Sequence, residues 1–109
     1  MATLEHISNI TPASDTATVV LQASATHDHF VAVMCTNKGL GEDKVTVFSK
    51  ALNDTEANIL YAAYEMVVPG RSTVETKKWA LDQDHSLYVK SNTGNVSFAV
   101  TGVITERII

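Results

Sequence analysis

The amino-acid sequence predicts an all-β fold: a single antiparallel β-sandwich, Ig-like or jelly-roll-like, of about seven or eight strands with extended terminal arms. Segments rich in β-branched and aromatic residues recur along the chain at a spacing of roughly 8–12 residues, which is typical of sandwiches and barrels. Turn-forming residues separate these segments. Charged residues make up only 18% of the sequence, so the surface must be built largely from threonine, serine and asparagine. Such a surface suits an all-β protein or one that buries part of its exterior against partners.

The first half of the chain predicts three strands. Residues 18–23 are rich in β-formers, and residues 29–37 form an almost continuous apolar run, as expected for a strand buried on both faces. A loop with two glycines follows this run. Residues 44–50 then place Val45 and Val47 on one face, which predicts a strand with one buried side.

Residues 51–66 are compatible with two structures. The residues at 53–55 could cap a helix, because alanine, leucine and glutamate dominate the sequence that follows. The same region also reads as a long strand over 59–68. We predict the strand, because every flanking element is β, and leave a short helical turn at 54–58 as the alternative.

The last third of the chain predicts three further strands. Pro69 and Gly70 form a turn dipeptide, after which residues 72–81 read as one strand. Residues 86–91 and 96–104 flank a short bend that contains Gly94, as in a β-hairpin. In the final strand the apolar residues alternate, which predicts one buried face.

The two ends of the chain differ from the middle. Residues 1–17 are polar with weak alternation, and residues 106–109 finish on two isoleucines. We therefore predict an N-terminal arm at 1–17, a sandwich domain at 18–105 and a C-terminal tail at 106–109, with arms that become ordered against a neighbouring molecule.

Charge and composition argue against several classes of function. The net charge is −4 and the longest basic run is Lys77-Lys78, so no footprint for nucleic acid is present. No apolar segment approaches the roughly 20 residues of a membrane helix. The single cysteine, Cys35, cannot form an intrachain disulfide and is expected to be buried. The first fifteen residues lack a basic, apolar leader, so we expect folding in a cytoplasm-like compartment.

The clusters of ionisable residues give weak signals for chemistry. His27 and His29 would share one face of a strand and could ligate a metal with a third residue such as His85. Asp84 beside His85 could form a catalytic dyad, although an aspartate in a bend more often caps its own backbone. No established catalytic motif is present. We therefore expect no metal, no cofactor and no enzymatic activity.

Four aromatic residues could form a platform for stacking sugars or bases: Tyr61, Tyr64, Trp79 and Tyr88. Core and rim packing is the simpler interpretation, because aromatic side chains on strands usually supply buried area. A carbohydrate-binding module remains an alternative function.

The order of strands and turns in the second half resembles that of a known group of proteins. An aromatic-rich strand precedes Pro69-Gly70, then come a Ser/Thr strand, a leucine with an acidic bend, "LYV" and "NVSFAVTGVI". This order, together with "LQASATHDHFVAVMCTN" in the first half, resembles small β-sandwich virion proteins encoded by tailed bacteriophages, including marine and cyanobacterial phages. The resemblance covers about residues 17–106. One departure is Asp84-His85, where the group commonly has Gly-Asp.

The resemblance implies a non-enzymatic structural protein of the bacteriophage virion, assembled in the host cytoplasm. We expect it to decorate and cement the capsid through apolar and edge-strand contacts, as a homo-oligomer or in many copies. Its partners would be the major capsid protein or tail proteins, and a tail, neck or fibre accessory protein is the alternative within this class. The residues expected to contact partners lie at the termini and in one loop: Leu4, Ile7, Ile10, Lys38, Leu40, Arg107, Ile108 and Ile109.

Overall fold

The protein is a β-sandwich. The computed structural model describes residues 3–22, 27–51, 59–81 and 85–106, with side chains at 8–22, 29–50, 59–81 and 85–103. The described residues form nine strands and no helix, and so contain no helix able to span a membrane. The strands are β1 (Thr3–Ile10), β2 (Thr18–Leu21), β3 (His27–Asn37), β4 (Asp43–Ala51), β5 (Leu60–Val68), β6 (Thr73–Glu75), β7 (Trp79–Leu81), β8 (His85–Ser91) and β9 (Val96–Glu106).

Two antiparallel sheets form the two layers, which confirms the predicted fold class. The first sheet has the order β1-β9-β3, with β6 and β7 both pairing with the free side of β3. The second sheet has the order β2-β8-β4-β5. The central pairs are regular: β3 and β9 stay in register from His27↔Glu106 to Asn37↔Val96, and β4 and β8 pair from Val45 to Ala51 without a shift.

The core lies between the two sheets and follows the period-two pattern of the sequence. Val96, Phe98 and Val100 of β9 are fully buried, as are Val45 and Val47 of β4, so the predicted inward faces of both strands are confirmed. Each of these residues alternates with a partly or fully exposed neighbour along most of its strand.

The central strand β3 is fully buried on one face and only partly buried on the other, which corrects the prediction of burial on both faces from its apolar run. Val31, Val33 and Cys35 point into the core and are fully buried. Phe30 and Met34 point outward and are 46% and 36% exposed. Ala32, on the same outward side, is only 1% exposed, so the outer side of this apolar strand is covered at its middle and open at Phe30 and Met34.

Every edge strand of the two sheets is irregular. The register shifts at Ile7 in β1 and at Val20 in β2, where one extra residue is inserted relative to the partner strand. In β5 two such shifts fall between Val45 and Phe48 of its partner β4. Bulges of this kind twist an edge and interrupt its row of hydrogen-bonding groups.

The fourth edge is divided into β6 and β7, where the sequence predicts one strand over 72–81. Three residues, 76–78, lie between the two paired segments, whereas β3 has only residues 32 and 33 in the same interval. This edge therefore contains one extra residue. Thr76 causes the interruption because its Oγ1 accepts a hydrogen bond from the Val33 amide at 2.9 Å, in place of a backbone carbonyl. The Thr76 amide donates to the Val33 carbonyl at 3.0 Å. The buried threonine side chain therefore takes part in the ladder.

The N-terminal segment also differs from the prediction. Residues 3–10, which we assigned to an arm outside the sandwich, form the edge strand β1 and pair with β9. Ile10 lies opposite Phe98 and packs against the core. The predicted strand over 59–68 is present as β5, whereas the alternative helical turn at 54–58 lies outside the described residues.

Two buried polar residues organise the loops at one end of the sandwich. Asn37 donates from Nδ2 to the carbonyls of Gly41 and Val68, and its Oδ1 accepts from the Gly39 amide at 2.9 Å. Asp43 accepts hydrogen bonds from the hydroxyls of Ser91 and Thr93 at 2.5 and 2.7 Å. These bonds tie the β3–β4 loop to β5 and to the β8–β9 turn.

Cys35 is fully buried, and burial raises the pKa of its thiol to about 12. We therefore predict that the native protein does not react with a water-soluble disulfide reagent at mildly alkaline pH, because the thiolate is the reactive form. Spectrophotometric titration should yield one thiol per chain in denaturant and none on the same timescale without it. Equal labelling rates in the two conditions would contradict the burial of Cys35.

Candidate functional site

The two outer faces of the sandwich differ in chemistry. The outer face of the first sheet is called the apolar face here. It is formed by outward side chains of β3, β7 and β9: Phe30, Ala32, Met34, Thr36, Ala80, Ser97, Ala99, Thr101 and Val103. Glu75 is the one ionisable side chain among the described outward positions of β3, β6, β7 and β9. This face resembles the centre of a protein interface, where charged residues are depleted and aromatic residues and methionine are enriched.

The outer face of the second sheet carries an aromatic cluster made of Phe48, Tyr61, Tyr64 and Tyr88. The rings of Phe48 and Tyr88 stack with centroids 5.1 Å apart and planes inclined by 3°. Tyr61 lies 5.8 Å from Phe48 and meets Tyr64 edge to face at 5.0 Å. Lys50 Nζ lies 5.3 Å from the centre of the Tyr88 ring. The four rings form a continuous row from β8 across β4 to the β5 edge.

A groove of about 260 Å³ runs beside this row. Phe48, Tyr61 and Tyr64 supply its aromatic wall, together with Ala17 and Ile59. Its polar lining consists of Thr46, Glu65 and Lys90. The Lys90 ammonium is held 3.0 Å from the Asp15 carboxylate, which lies on the loop between β1 and β2.

Trp79 is separate from the aromatic cluster. It belongs to the first sheet, pairs with Val31, and packs against the core, with its indole Nε1 buried and without a hydrogen-bond partner among the described residues. With Tyr61 it lines a second groove of about 150 Å³ at the open side of the sandwich, where Lys77 and Lys78 also lie. The four predicted aromatic residues therefore do not form one platform.

Two of the predicted partner-binding residues are exposed and one is not. Leu40 is 80% exposed at the tip of the β3–β4 loop, and Lys38 is exposed in the same loop. The loop is held rigidly by Asn37, so Leu40 is presented on a fixed support. Ile10 faces inward, which makes it a packing residue.

The remaining predicted partner-binding residues cannot be compared with described side chains. The backbones of Leu4 and Ile7 belong to β1, but their side chains lie outside the described set. The same is true of the whole of Arg107, Ile108 and Ile109. Their role stays a prediction.

The histidines do not assemble a described metal site. His29 lies on β3 in the first sheet and His85 on β8 in the second, and the side chain of His27 is outside the described set, as are residues 82–84. Among the side chains that the structure describes, no group of three or more His, Cys, Asp or Glu residues is arranged to hold a metal ion.

Sequence reasoning missed three residues of these surfaces. By alternation, Phe48 falls on the face of its strand opposite Val45 and Val47, and an aromatic residue on that otherwise polar face is the sequence signal for the aromatic cluster. Phe30 and Met34 were taken as buried, because an apolar run gives no indication of which face stays open. No protein-family model matches the chain, and no curated protein matches it.

Proposed function

We propose that the protein is a non-enzymatic structural component of the bacteriophage virion that decorates the capsid, with its apolar face packed against another virion protein. One observation carries this proposal. The run over 29–37 has the composition of a strand buried on both sides, yet Phe30 and Met34 remain exposed. A partner that covers this face would complete the burial. Exposed apolar patches on soluble proteins commonly mark such contacts.

The apolar face suits a protein partner because its burial removes little charge from water. Glu75, its single described ionisable group, lies on the short edge strand β6. Stable interfaces bury roughly 800 Å² on each partner. The exposed Leu40 follows β3 and can extend the contact beyond the sheet.

The face is a better contact surface than the edges. Strand addition needs a regular row of free amides and carbonyls. In this sandwich β1, β2 and β5 contain register shifts, and the fourth edge is broken between β6 and β7. The proposal therefore assigns attachment to side chains of the apolar face, and not to edge-strand pairing.

The substitution Met34→Lys tests the apolar face. A lysine there places an unpaired charge in the contact, so we expect binding to particles that lack the protein to weaken at least about tenfold. Co-sedimentation with such particles measures the bound fraction. The thermal midpoint should change little, because Met34 is outward and partly exposed.

Val67→Lys is the matched control. Val67 is 44% exposed on β5 of the other sheet, so it receives the same new charge in a comparable strand environment. Its particle binding should equal that of the unmodified protein. Undiminished binding of the Met34→Lys variant would refute attachment through the apolar face, and electron microscopy of the particles would place the protein on the head, neck, tail or fibre.

A further inference from the structure

We propose that the groove beside the aromatic cluster is a saccharide-binding site that takes one neutral hexose unit of an oligosaccharide. The site lies on the outer face of the second sheet, opposite the apolar face. A protein attached through the first sheet would thus present this groove to the surroundings. The inference adds a ligand-binding activity to the proposed structural role.

The tyrosines provide the surface on which a sugar ring can stack. Tyr64 is 66% exposed and Tyr61 is 45% exposed, so both rings are accessible to a ligand. Their edge-to-face contact and the contact of Tyr61 with Phe48 limit their movement. The face of an aromatic ring carries partial negative charge, which attracts the weakly positive C–H groups on the flat side of a pyranose.

The polar lining of the groove provides partners for sugar hydroxyl groups. Glu65 offers two acceptor oxygens, Lys90 offers donors, and the Thr46 hydroxyl can do either. Lys90 is already positioned by Asp15, so less side-chain freedom is lost when a ligand binds. Hydrogen bonds to charged groups are the stronger ones, and this favours hydroxyl recognition by Glu65 and Lys90.

The backbone at Glu65 is held in an unfavourable conformation that shapes the groove. Glu65 has a φ of 48°, in the left-handed region that side-chain-bearing residues rarely adopt. Its amide donates to Thr46 Oγ1 at 3.3 Å, and the residue lies in the shifted stretch of β5 beside Tyr64. Backbone strain of this kind concentrates at binding sites. Here it brings a carboxylate and an exposed aromatic ring to the same wall.

Size and charge select the occupant. The groove volume of about 260 Å³ is slightly below the roughly 300 Å³ at which pockets for larger ligands begin, so it suits a single ring. With Asp15, the partner of Lys90, the charges at the groove are two carboxylates and one ammonium, which disfavours an anionic ligand. The net charge of −4 disfavours a nucleic-acid strand. A neutral hexose satisfies both the stacking surface and the hydrogen-bonding groups.

Isothermal titration of the full chain with maltohexaose, cellohexaose, mannohexaose and a galactan oligosaccharide tests the proposal. We expect saturable binding of at least one of these at millimolar concentration. Tyr64→Ala should weaken that binding about fivefold or more, since loss of an aromatic ring costs at least that much for a base stacked in a nucleic-acid site. Glu65→Gln should weaken it several-fold. Val67→Ala, on the same strand but outside the groove, should leave it unchanged.

A second variant distinguishes a binding role from a structural one. Glu65→Gly relieves the positive φ, so its thermal stability should equal or exceed that of the unmodified protein while saccharide affinity falls. Absence of binding to all four oligosaccharides would overturn the proposal, as would binding that Tyr64→Ala does not affect. Loss of particle attachment in Tyr64→Ala without any saccharide binding would instead identify the cluster as a protein contact. The Met34→Lys variant should bind saccharide normally. The experiments therefore distinguish failure of the capsid proposal from failure of the saccharide proposal.

Discussion

The substitution Gly102→Ala is expected to destabilise the protein by about 3 kcal/mol, at the upper end of the usual cost of overpacking. A Cβ atom at Gly102 would lie 2.1 Å from the Phe30 carbonyl oxygen and 2.9 Å from the Val31 Cα. Both atoms belong to the backbone of β3, which pairs with β9 along its whole length and cannot shift locally. The free energy of unfolding in urea measures the effect.

Gly41→Ala is the control for that experiment. Among the described residues, no atom beyond Gly41 and its two chain neighbours lies within 4 Å of the position that its Cβ would occupy, and the residue is in an exposed part of the β3–β4 loop. Its free energy of unfolding should change by no more than about 0.5 kcal/mol. Similar losses in the two variants would mean that the close approach of β9 to β3 is not the cause.

The substitution Asp43→Asn is expected to cost about 2 kcal/mol at neutral pH, because hydrogen bonds to a buried carboxylate are lost or weakened. Asp43 is 3% exposed. Burial by itself would raise the pKa of Asp43, but hydrogen bonds from Ser91, Thr93 and the Lys44 amide outweigh it and lower the pKa below its ordinary value. The ionised form is therefore the one that the fold stabilises.

The stabilisation by Asp43 depends on pH in a defined direction. A carboxyl group whose folded-state pKa is lowered stabilises the fold above its unfolded pKa, about 3.9, and loses that effect as the pH falls through the folded value. The difference in unfolding free energy between the unmodified protein and Asp43→Asn should shrink below about pH 4. Urea unfolding across the acid range measures it, with the exposed Glu42→Gln as control, which should change stability by under about 0.5 kcal/mol. A difference that stays constant with pH would contradict this assignment.

The central strands could be predicted from the sequence because one physical pattern determines them. Val96, Phe98 and Val100 alternate with smaller or polar residues, and a pleated strand sends such residues to opposite faces. Burial of one face then sets the register, since a slip by one residue would expose the whole apolar set. Prediction and structure agree best for the central strands, which have a neighbouring strand on each side.

The edge strands could not be predicted in detail because their irregularities depend on partners distant in sequence. Thr76 interrupts a strand only because its hydroxyl meets the Val33 amide, 43 positions earlier. The N-terminal segment was assigned to an arm because its alternation is weak, yet β9 offers it an unpaired edge on which to form β1. The local sequence pattern reveals neither the Thr76 hydrogen bond nor the pairing of β1 with β9.

The candidate sites were predicted in part. Tyr61, Tyr64 and Tyr88 were recognised as a possible platform, but which aromatic residues meet depends on strand pairing. Phe48 lies opposite both Tyr61 on β5 and Tyr88 on β8, whereas Trp79 is in the other sheet. Residue type identifies the aromatic candidates, but only the pairing of strands shows which of them lie side by side.

The irregular edges have a consequence for association of the protein with further copies of itself. A sandwich with straight, unpaired edges can grow into open-ended filaments when its concentration is high, because each added strand offers another edge. Here β1, β2 and β5 are bulged, and Lys77 and Lys78 occupy the break in the fourth edge. Growth by edge-to-edge strand addition is therefore disfavoured at all four described edges, although Phe30 and Met34 are exposed on the sheet face.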